Sequence, residues 1–303
     1  MYSDKTRLGI TNNISLENIK IQTIKKDTRQ IKDYEIPYYL EKIGIYAYEI
    51  YYDYLKNKLI NNNNIYFNKL KKYSIKKDIF LSIHAPFYIS PTSQKDNVLS
   101  SSTNLFHQMY LMCDRIGAKR FVLHPGGYNG LDPKRAVKKA SKFIEESLDS
   151  FEYNYPEKSH LLNEIGCFIE NLGKKGEIGD IEEIVDILKN VDRNNVLPCV
   201  DFGHIYARNL GAIDYYSIID YINDELGRDV VENLHIHISK IQFGKSGERK
   251  HLPNNECRYG PNFDPYFEIL ENNDRYKHVI INETPEDQYD VLNLWETYSH
   301  IFK

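Results

Sequence analysis

Several features that usually point to a function class are missing from this sequence. The four cysteines, Cys113, Cys167, Cys199 and Cys257, form no C-x-x-C pair, which excludes a thiolate zinc ribbon and a dithiol redox motif. No apolar run reaches the ~18 residues of a membrane-spanning helix, and no basic-then-apolar leader opens the chain. The expectation is a soluble, cytoplasmic protein with reduced thiols and no membrane partner. No Gly/Ser-rich or Pro-rich linker divides the 303 residues. No glycine-rich phosphate loop follows a strand-like run, which argues against a doubly wound nucleotide-binding sheet. Positive charge is not in excess either: 39 Lys and Arg against 43 Asp and Glu give a net charge of −4. The whole-molecule field of a typical nucleic-acid binder is therefore absent. A phosphate-bearing partner would need a local basic patch or bound cations.

What is present is a pattern of alternation. Hydrophobic residues make up 41 % and charged residues 27 % of the chain, enough for a sizeable core. Eight short, mostly β-branched runs stand out: Leu8–Thr11, Tyr46–Ile50, Ile79–His84, Arg120–His124, Ile165–Glu170, Val196–Asp201, Asn233–Ile238 and His278–Asn282. Amphipathic stretches separate them, among them Asn104–Ile116 ending at Gly117, Pro133–Ser150, a helix opening at Asp180, and Asp287–Phe302. Strands alternating with helices imply parallel βα units, and eight units close a barrel more naturally than they extend an open sheet. The expectation is a single α/β domain over residues 1–303, a (β/α)₈ TIM barrel with its active site at the C-terminal ends of the strands. Residues 18–36 are polar and highly charged and follow the first strand, which would put them on that face.

The ligand-type residues fall where such a barrel builds its active site. His84 ends the third run (IHAPF), His124 the fourth (LHPGG), Glu170 the fifth (IENLG) and Asp201 the sixth, with His204 three residues on (DFGH). His235 and His237 lie on the seventh (HIHIS), Glu283 follows the eighth (INETP), and His251 sits in the loop after the seventh (GERKHLP). Any one of these has an ordinary explanation as a cap, a turn or a hydrogen-bonded structural histidine. Six consecutive strands carrying His, Asp or Glu near the same end do not. Imidazole and carboxylate without thiolate suit Zn²⁺, Mn²⁺ or Fe²⁺. The donors exceed what one tetrahedral ion needs, so the site reads as multinuclear. Two ions ~3.5–4 Å apart can clamp the attacking and leaving oxygens of a phosphodiester. His235 and His237 share one strand face, and position alone does not choose between them. Cys199 reads as core packing. Lys174 and Lys175 follow Glu170 and could meet a phosphate.

The segments IHAPF, LHPGG, IENLGKKGEIG, CVDFGHIYARNLG, HIHISK, GERKHLP and INETP occur in the order found in endonuclease IV, the family 2 apurinic/apyrimidinic endonucleases of the xylose-isomerase-like barrels. The chain resembles that family over roughly residues 79–300, while residues 1–78, the first two βα units, match poorly. The resemblance implies zinc, two or three ions, with Mn²⁺ as a substitute. It assigns His84, His124 and Glu170 to a first ion. Glu170, Asp201, a strand-seven histidine and Glu283 fall to a second. His235 fits the family's spacing to Lys240, with His237 as the fallback. His204 and His251 fall to a third ion, for which the family supplies an Asp two residues before the loop histidine. Here that position is Arg249. Glu248, one residue off, could replace the Asp, or Arg249 could contact a phosphate itself.

The resemblance further implies a monomeric DNA-repair hydrolase that incises double-stranded DNA 5′ to an abasic site, with Glu170 and Glu283 as its catalytic carboxylates. A second hypothesis is a single-metal sugar or sugar-phosphate isomerase or epimerase using Glu170, Asp201, His235 and Glu283, which would leave the other histidines without a task. A third is a binding protein that kept the pocket without turnover.

Overall fold

The computed structural model describes residues 1–12, 20–22, 28–61, 63–285 and 287–302. Eight barrel strands form where the β-branched runs lie: β1 Arg7–Thr11, β2 Ala47–Tyr51, β3 Phe80–His84, β4 Arg120–Leu123, β5 Gly166–Glu170, β6 Val196–Asp201, β7 His235–Ile238 and β8 Val279–Asn282. Each pairs in parallel with its chain neighbours, and β8 pairs with β1, so the sheet closes. Helices cover its outer face, which makes the fold a (β/α)₈ barrel as the alternation implied.

The period of two along each strand divides the side chains. Ile10, Ile50, Ile83, Phe121, Ile169, Val200, Ile236 and Ile280 face outward and join the helices in one large apolar core. Fully burying each contributes ~1.5–3 kcal/mol. The opposite phase points into the lumen, where Val122, Phe168, Leu197 and Cys199 make one small cluster and Ala47, Val279 and Ile281 another. Glu49, Ser82, Arg120, Glu170, Asp201, His235 and His237 share that inward phase, and all are fully buried. Parallel sheets are normally apolar on both faces, so this polar column marks the lumen as a site.

The helices start and stop for local reasons. Asp96–Ile116 ends at Gly117 in the left-handed region, φ 78°. Asp132 caps Pro133–Asn154 by accepting from the Lys134 N–H, and Asp180 opens Ile181–Val191 in a capping box with Glu183. Among the described residues, no helix is long and apolar enough to cross a membrane.

One element differs from expectation. The segment after β7, expected to be a loop, is an antiparallel hairpin of Lys240–Gly244 with Gly247–Leu252. Within the polar segment after β1, Lys20–Gln22 pairs with Thr28–Gln30, and Asp33–Glu35 forms a short turn leading into the helix Ile36–Lys42. Within 18–36, residues 18–19 and 23–27 lie outside the described residues.

Candidate metal centre

Strand ends from most of the barrel's circumference converge on one cavity of about 750 Å³, lined by His84, His124, Glu170, His204, Glu248, His251 and Glu283, with Tyr51, Phe87 and Lys174 among the remaining wall residues. At its floor Glu170 is the hub. Its Oε2 lies 3.3 Å from His84 Nε2 and 3.0 Å from His124 Nε2. Its Oε1 lies 3.2 Å from His237 Nδ1 and 3.3 Å from His204 Nδ1. Glu283 Oε2 approaches His237 Nδ1 at 3.4 Å.

Ligand-type atoms gather in adjoining sets: His84, His124 and Glu170; then Glu170, Asp201, His237 and Glu283; then His204, Glu248 and His251. In each set they lie within 4.8 Å of one another. Glu170 belongs to two of these sets, and two further groups, Glu49 with His84, His237 and Glu283, and Cys199 with His235 and His237, overlap them deeper in the lumen.

Backbone contacts aim the side chains. His84 Nδ1 lies 2.9 Å from the Ala85 carbonyl and His204 Nδ1 3.0 Å from the Asn171 carbonyl. His251 Nδ1 sits between Ser239 Oγ at 2.9 Å and the Glu283 carbonyl at 3.2 Å. A ring that donates from Nδ1 leaves Nε2 bare toward the cavity, the arrangement that orients histidine ligands. Asn171 brackets Asp201 from both sides, accepting from its N–H at 2.8 Å and donating to its carbonyl at 3.0 Å. Asp201 Oδ1 caps the following helix through the His204 N–H at 2.7 Å. Asp201 Oδ2 and Glu170 Oε2 are buried without a hydrogen-bond partner. Unpaired buried carboxylate oxygens surrounded by imidazole nitrogens are what a divalent cation would satisfy, so the donor set fits one.

The electrostatics agree. Burial would raise the Glu170 carboxyl, but His237 and His124 hold it well below the usual carboxylate range. Burial likewise opposes ionisation of Glu283, which His237 nevertheless lowers to about 2. Asp201 is raised, first by burial and then by the charges of Glu170 and Glu283 against the pull of His204. Burial lowers the His84 imidazolium, yet Glu170, Glu283 and Glu49 outweigh it and raise the group to about 9.

Glu248 reaches the third set through a bulge. Glu248 and His251 are three residues apart, a spacing that a regular strand sends to opposite faces. In the hairpin Gln242 pairs with Lys250 and Phe243 with Glu248, leaving Arg249 as an extra residue. One extra residue restores the phase. Glu248 then lies 3.5 Å from His204 Nε2 and 3.8 Å from His251 Nε2. The hairpin can dock this closely because two glycines meet: a Cβ on Gly173 would lie 2.7 Å from Glu248 Cβ, and one on Gly247 (φ +88°) 2.2 Å from the Gly173 carbonyl oxygen.

A family model described as "Xylose isomerase-like TIM barrel" matches residues 37–299. The chain belongs to the xylose isomerase-like TIM barrel family. It is 30 % identical over 267 residues to an uncharacterized protein of Methanocaldococcus jannaschii, covering 86 % of this chain and 90 % of that one. It is 28 % identical over 187 residues to a probable endonuclease 4 of Ureaplasma parvum, covering 60 % of this chain and 58 % of that relative's length. Two solved structures share the fold. Endonuclease IV from Thermus thermophilus superimposes with a TM-score of 0.66 at 15 % identity, covering 97 % of this chain and 98 % of that one. The 3-keto-D-glucoside 4-epimerase from E. coli gives 0.60 at 16 % identity, covering 96 % and 98 %.

Within this xylose isomerase-like barrel, the strand-seven histidine that meets the set at the cavity floor is His237, and not His235, which the spacing favoured. The structure brings His237 to Glu170, Asp201 and Glu283, and sets His235 deeper, with Nε2 3.1 Å from Glu49 Oε2 and Nδ1 3.4 Å from Arg120 Nη1. Burial pushes the His235 imidazolium down to about 4 against the pull of Glu49, so that ring is neutral at pH 7. Lys174 lines the cavity; Lys175 and Arg249 are exposed and outside its lining. The Arg249 guanidinium lies over Gly244 instead. Cys199 is buried in the lumen cluster, next to His235 and His237. Sequence reasoning missed Glu49. Its one signal was a lone carboxylate inside the apolar run AYEIY.

Proposed function

We propose that this chain is a zinc-dependent phosphodiester hydrolase that incises double-stranded DNA 5′ to abasic sites, the activity implied by the resemblance of its strand-end motifs to endonuclease IV; a relative named a probable endonuclease 4 supports the endonuclease part of this reading. The carrying observation is the shared carboxylate of Glu170 between two ligand sets, with a third set adjoining. His84, His124 and Glu170 would hold one ion, Glu170, Asp201, His237 and Glu283 a second, and His204, Glu248 and His251 a third. Bound Zn²⁺, with Mn²⁺ as a substitute, would supply Lewis acidity and positive charge to the reacting phosphodiester.

The protein's own groups set the geometry. Glu170 and Glu283 stay ionised at neutral pH, so they accept hydrogen bonds from an attacking water and orient it, and are too weakly basic to take its proton. The cavity volume is that of a small-molecule site, enough for one extruded sugar-phosphate. A baseless sugar leaves the duplex cheaply because nothing pairs or stacks there. Lys174 is free to turn from Glu177, 3.6 Å away, toward a phosphate. Phe87, 77 % exposed at the rim, offers a stacking face to nucleic acid.

The test is incision of an end-labelled duplex carrying one abasic site by zinc- or manganese-loaded protein, with the ions per chain counted by elemental analysis. The proposal expects a nick bearing a 3′-hydroxyl, its loss on chelation and with Glu170→Gln, and two or three ions. An intact duplex with one ion per chain sinks it and leaves the single-metal epimerase reading on Glu170, Asp201, His237 and Glu283.

A further inference from the structure

His84, His204 and His251 each present Nε2 to the cavity. His237 is turned the other way. Its Nδ1 faces Glu170 Oε1 at 3.2 Å and Glu283 Oε2 at 3.4 Å, and its Nε2 faces Glu49 Oε1 at 3.1 Å. We propose that Glu49 is a positioning residue that fixes His237 as an Nδ1 ligand of the ion held by Glu170, Asp201 and Glu283; this rests on the metal reading above.

The donors and acceptors can be followed atom by atom. Arg120 has only donors, so its Nη1, 3.4 Å from His235 Nδ1, makes that nitrogen the acceptor. The His235 proton is therefore on Nε2, which donates to Glu49 Oε2 at 3.1 Å. Ser82 Oγ donates to the same oxygen at 2.7 Å. Oε2 is thus taken, and Oε1 is left for His237. Glu49 Oε1 and His237 Nε2 are both buried, make no hydrogen bond to any other group, and face each other at 3.1 Å. An ionised carboxylate only accepts, so the N–H of this pair belongs to His237 Nε2. Nδ1 is then the nitrogen that faces two carboxylates, Glu170 Oε1 and Glu283 Oε2, and it sits among them only while it holds a proton or a metal ion takes that proton's place. The lumen thus runs as one relay of orientation: Arg120 sets His235, His235 and Ser82 set Glu49, and Glu49 sets His237.

Glu49→Gln tests this without changing shape. Arg120, acting through His235, and Ser82 hold the amide oxygen at the Oε2 position, so the NH₂ group faces His237 and demands an acceptor there. The ring must then carry its proton on Nδ1 and cannot bind the ion through it. Zinc affinity, read by competition with a chromophoric chelator, is expected to fall about 10- to 100-fold for one ion per chain, the other ions being unaffected. Long-range ¹⁵N–¹H spectra of histidine-labelled, zinc-loaded protein give a readout that a packing role would not move: Nε2–H at His237 in the wild type and in Glu49→Asp, Nδ1–H in Glu49→Gln. Wild-type His237 protonated on Nδ1 with Nε2 on zinc overturns the proposal, because Glu49 would then be a ligand. So does a Glu49→Gln protein that keeps wild-type zinc affinity and tautomer. If that variant does not fold, the wild-type spectrum alone decides.

The two readings separate cleanly. A wild-type chain that shows the Nε2–H tautomer, loses one ion with Glu49→Gln and cleaves no abasic duplex removes the nuclease and keeps Glu49. One that cleaves while Glu49→Gln keeps its zinc and tautomer does the reverse. A wild-type chain that binds no zinc overturns both.

Discussion

The bulge at Arg249 supplies the sharpest test of the third ligand set. Glu248→Ala leaves His204 and His251 as its only donors. A four-ligand structural zinc site binds with about 10–16 kcal/mol, so one ligand is worth roughly 3 kcal/mol, or about 100-fold in affinity. The Glu248 side chain is 16 % exposed, so water can enter where it stood and take back part of that. The expected loss is about 10- to 100-fold for one ion per chain. Two further variants isolate the phase argument. Deleting Arg249 makes Glu248 and His251 two residues apart, a spacing that places both on one face of a regular strand, so this shortened hairpin is expected to keep the ion. Arg249→Ala is expected to change nothing, because the guanidinium lies over Gly244 and outside the cavity. Zinc competition titrations on the four proteins decide. Unchanged affinity in Glu248→Ala refutes the ligand role. Loss of the ion on deleting Arg249 refutes the claim that the bulge serves only to correct the spacing.

Other expectations follow from the same geometry. His237→Ala should lower the saturating zinc count by one per chain and His235→Ala should not; equal counts would return the ligand role to His235. In the metal-free protein His84 titrates at about 9, so at pH 7.5 zinc must displace its proton. Zinc affinity should climb with pH up to about 9 and drop below it, and a weakly buffered titration at pH 7.5 that releases no protons would contradict this. Arg208 donates to the Lys174 and Glu177 carbonyls at 2.6 and 3.0 Å and pairs with Asp180 at 2.6 Å. Arg208→Ala strands those acceptors and should cost about 2–4 kcal/mol in urea unfolding. Lys174→Ala should flatten the salt dependence of abasic-duplex binding by about one unit of log–log slope, and an unchanged slope would remove Lys174 from the phosphate contacts.

The strands could be read in the sequence because parallel strands buried on both faces are short β-branched runs, and the ligand positions could be read because most of them end those runs. What stayed hidden depends on register. His235 and His237 share a face, so only depth separates them. His237 pairs with Asp201, and His235 with Cys199, two residues lower at ~3.3 Å each. Chain spacing to Lys240 carries no information about that depth. Glu49 was hidden for a related reason: its partners Ser82 and His235 are 33 and 186 residues away, and only barrel closure brings them to it. Glu248 could be named from the sequence as the substitute for the missing Asp, but the bulge that brings it into phase could not, because no residue type announces it.

Charge arithmetic then explains why the lumen needs cations. Glu49, Glu170, Asp201 and Glu283 are buried there, and of the buried arginines among the described residues Arg120 alone has no carboxylate partner, since Arg7 pairs with Asp4 and Asp78 and Arg208 with Asp180. Four negative charges against one positive leave a deficit of three. Uncompensated charge in a dry interior costs several kcal/mol per group, so the metal-free protein gathers protons on its histidines instead. Two divalent ions would bring four positive charges, one more than the deficit. A third ion with Glu248 would add one more. The mouth of the barrel would then be locally positive, while the whole chain carries −4. A phosphate would be drawn to the ions and not to a basic surface, so affinity for an abasic duplex should depend far more on bound zinc than on any single lysine.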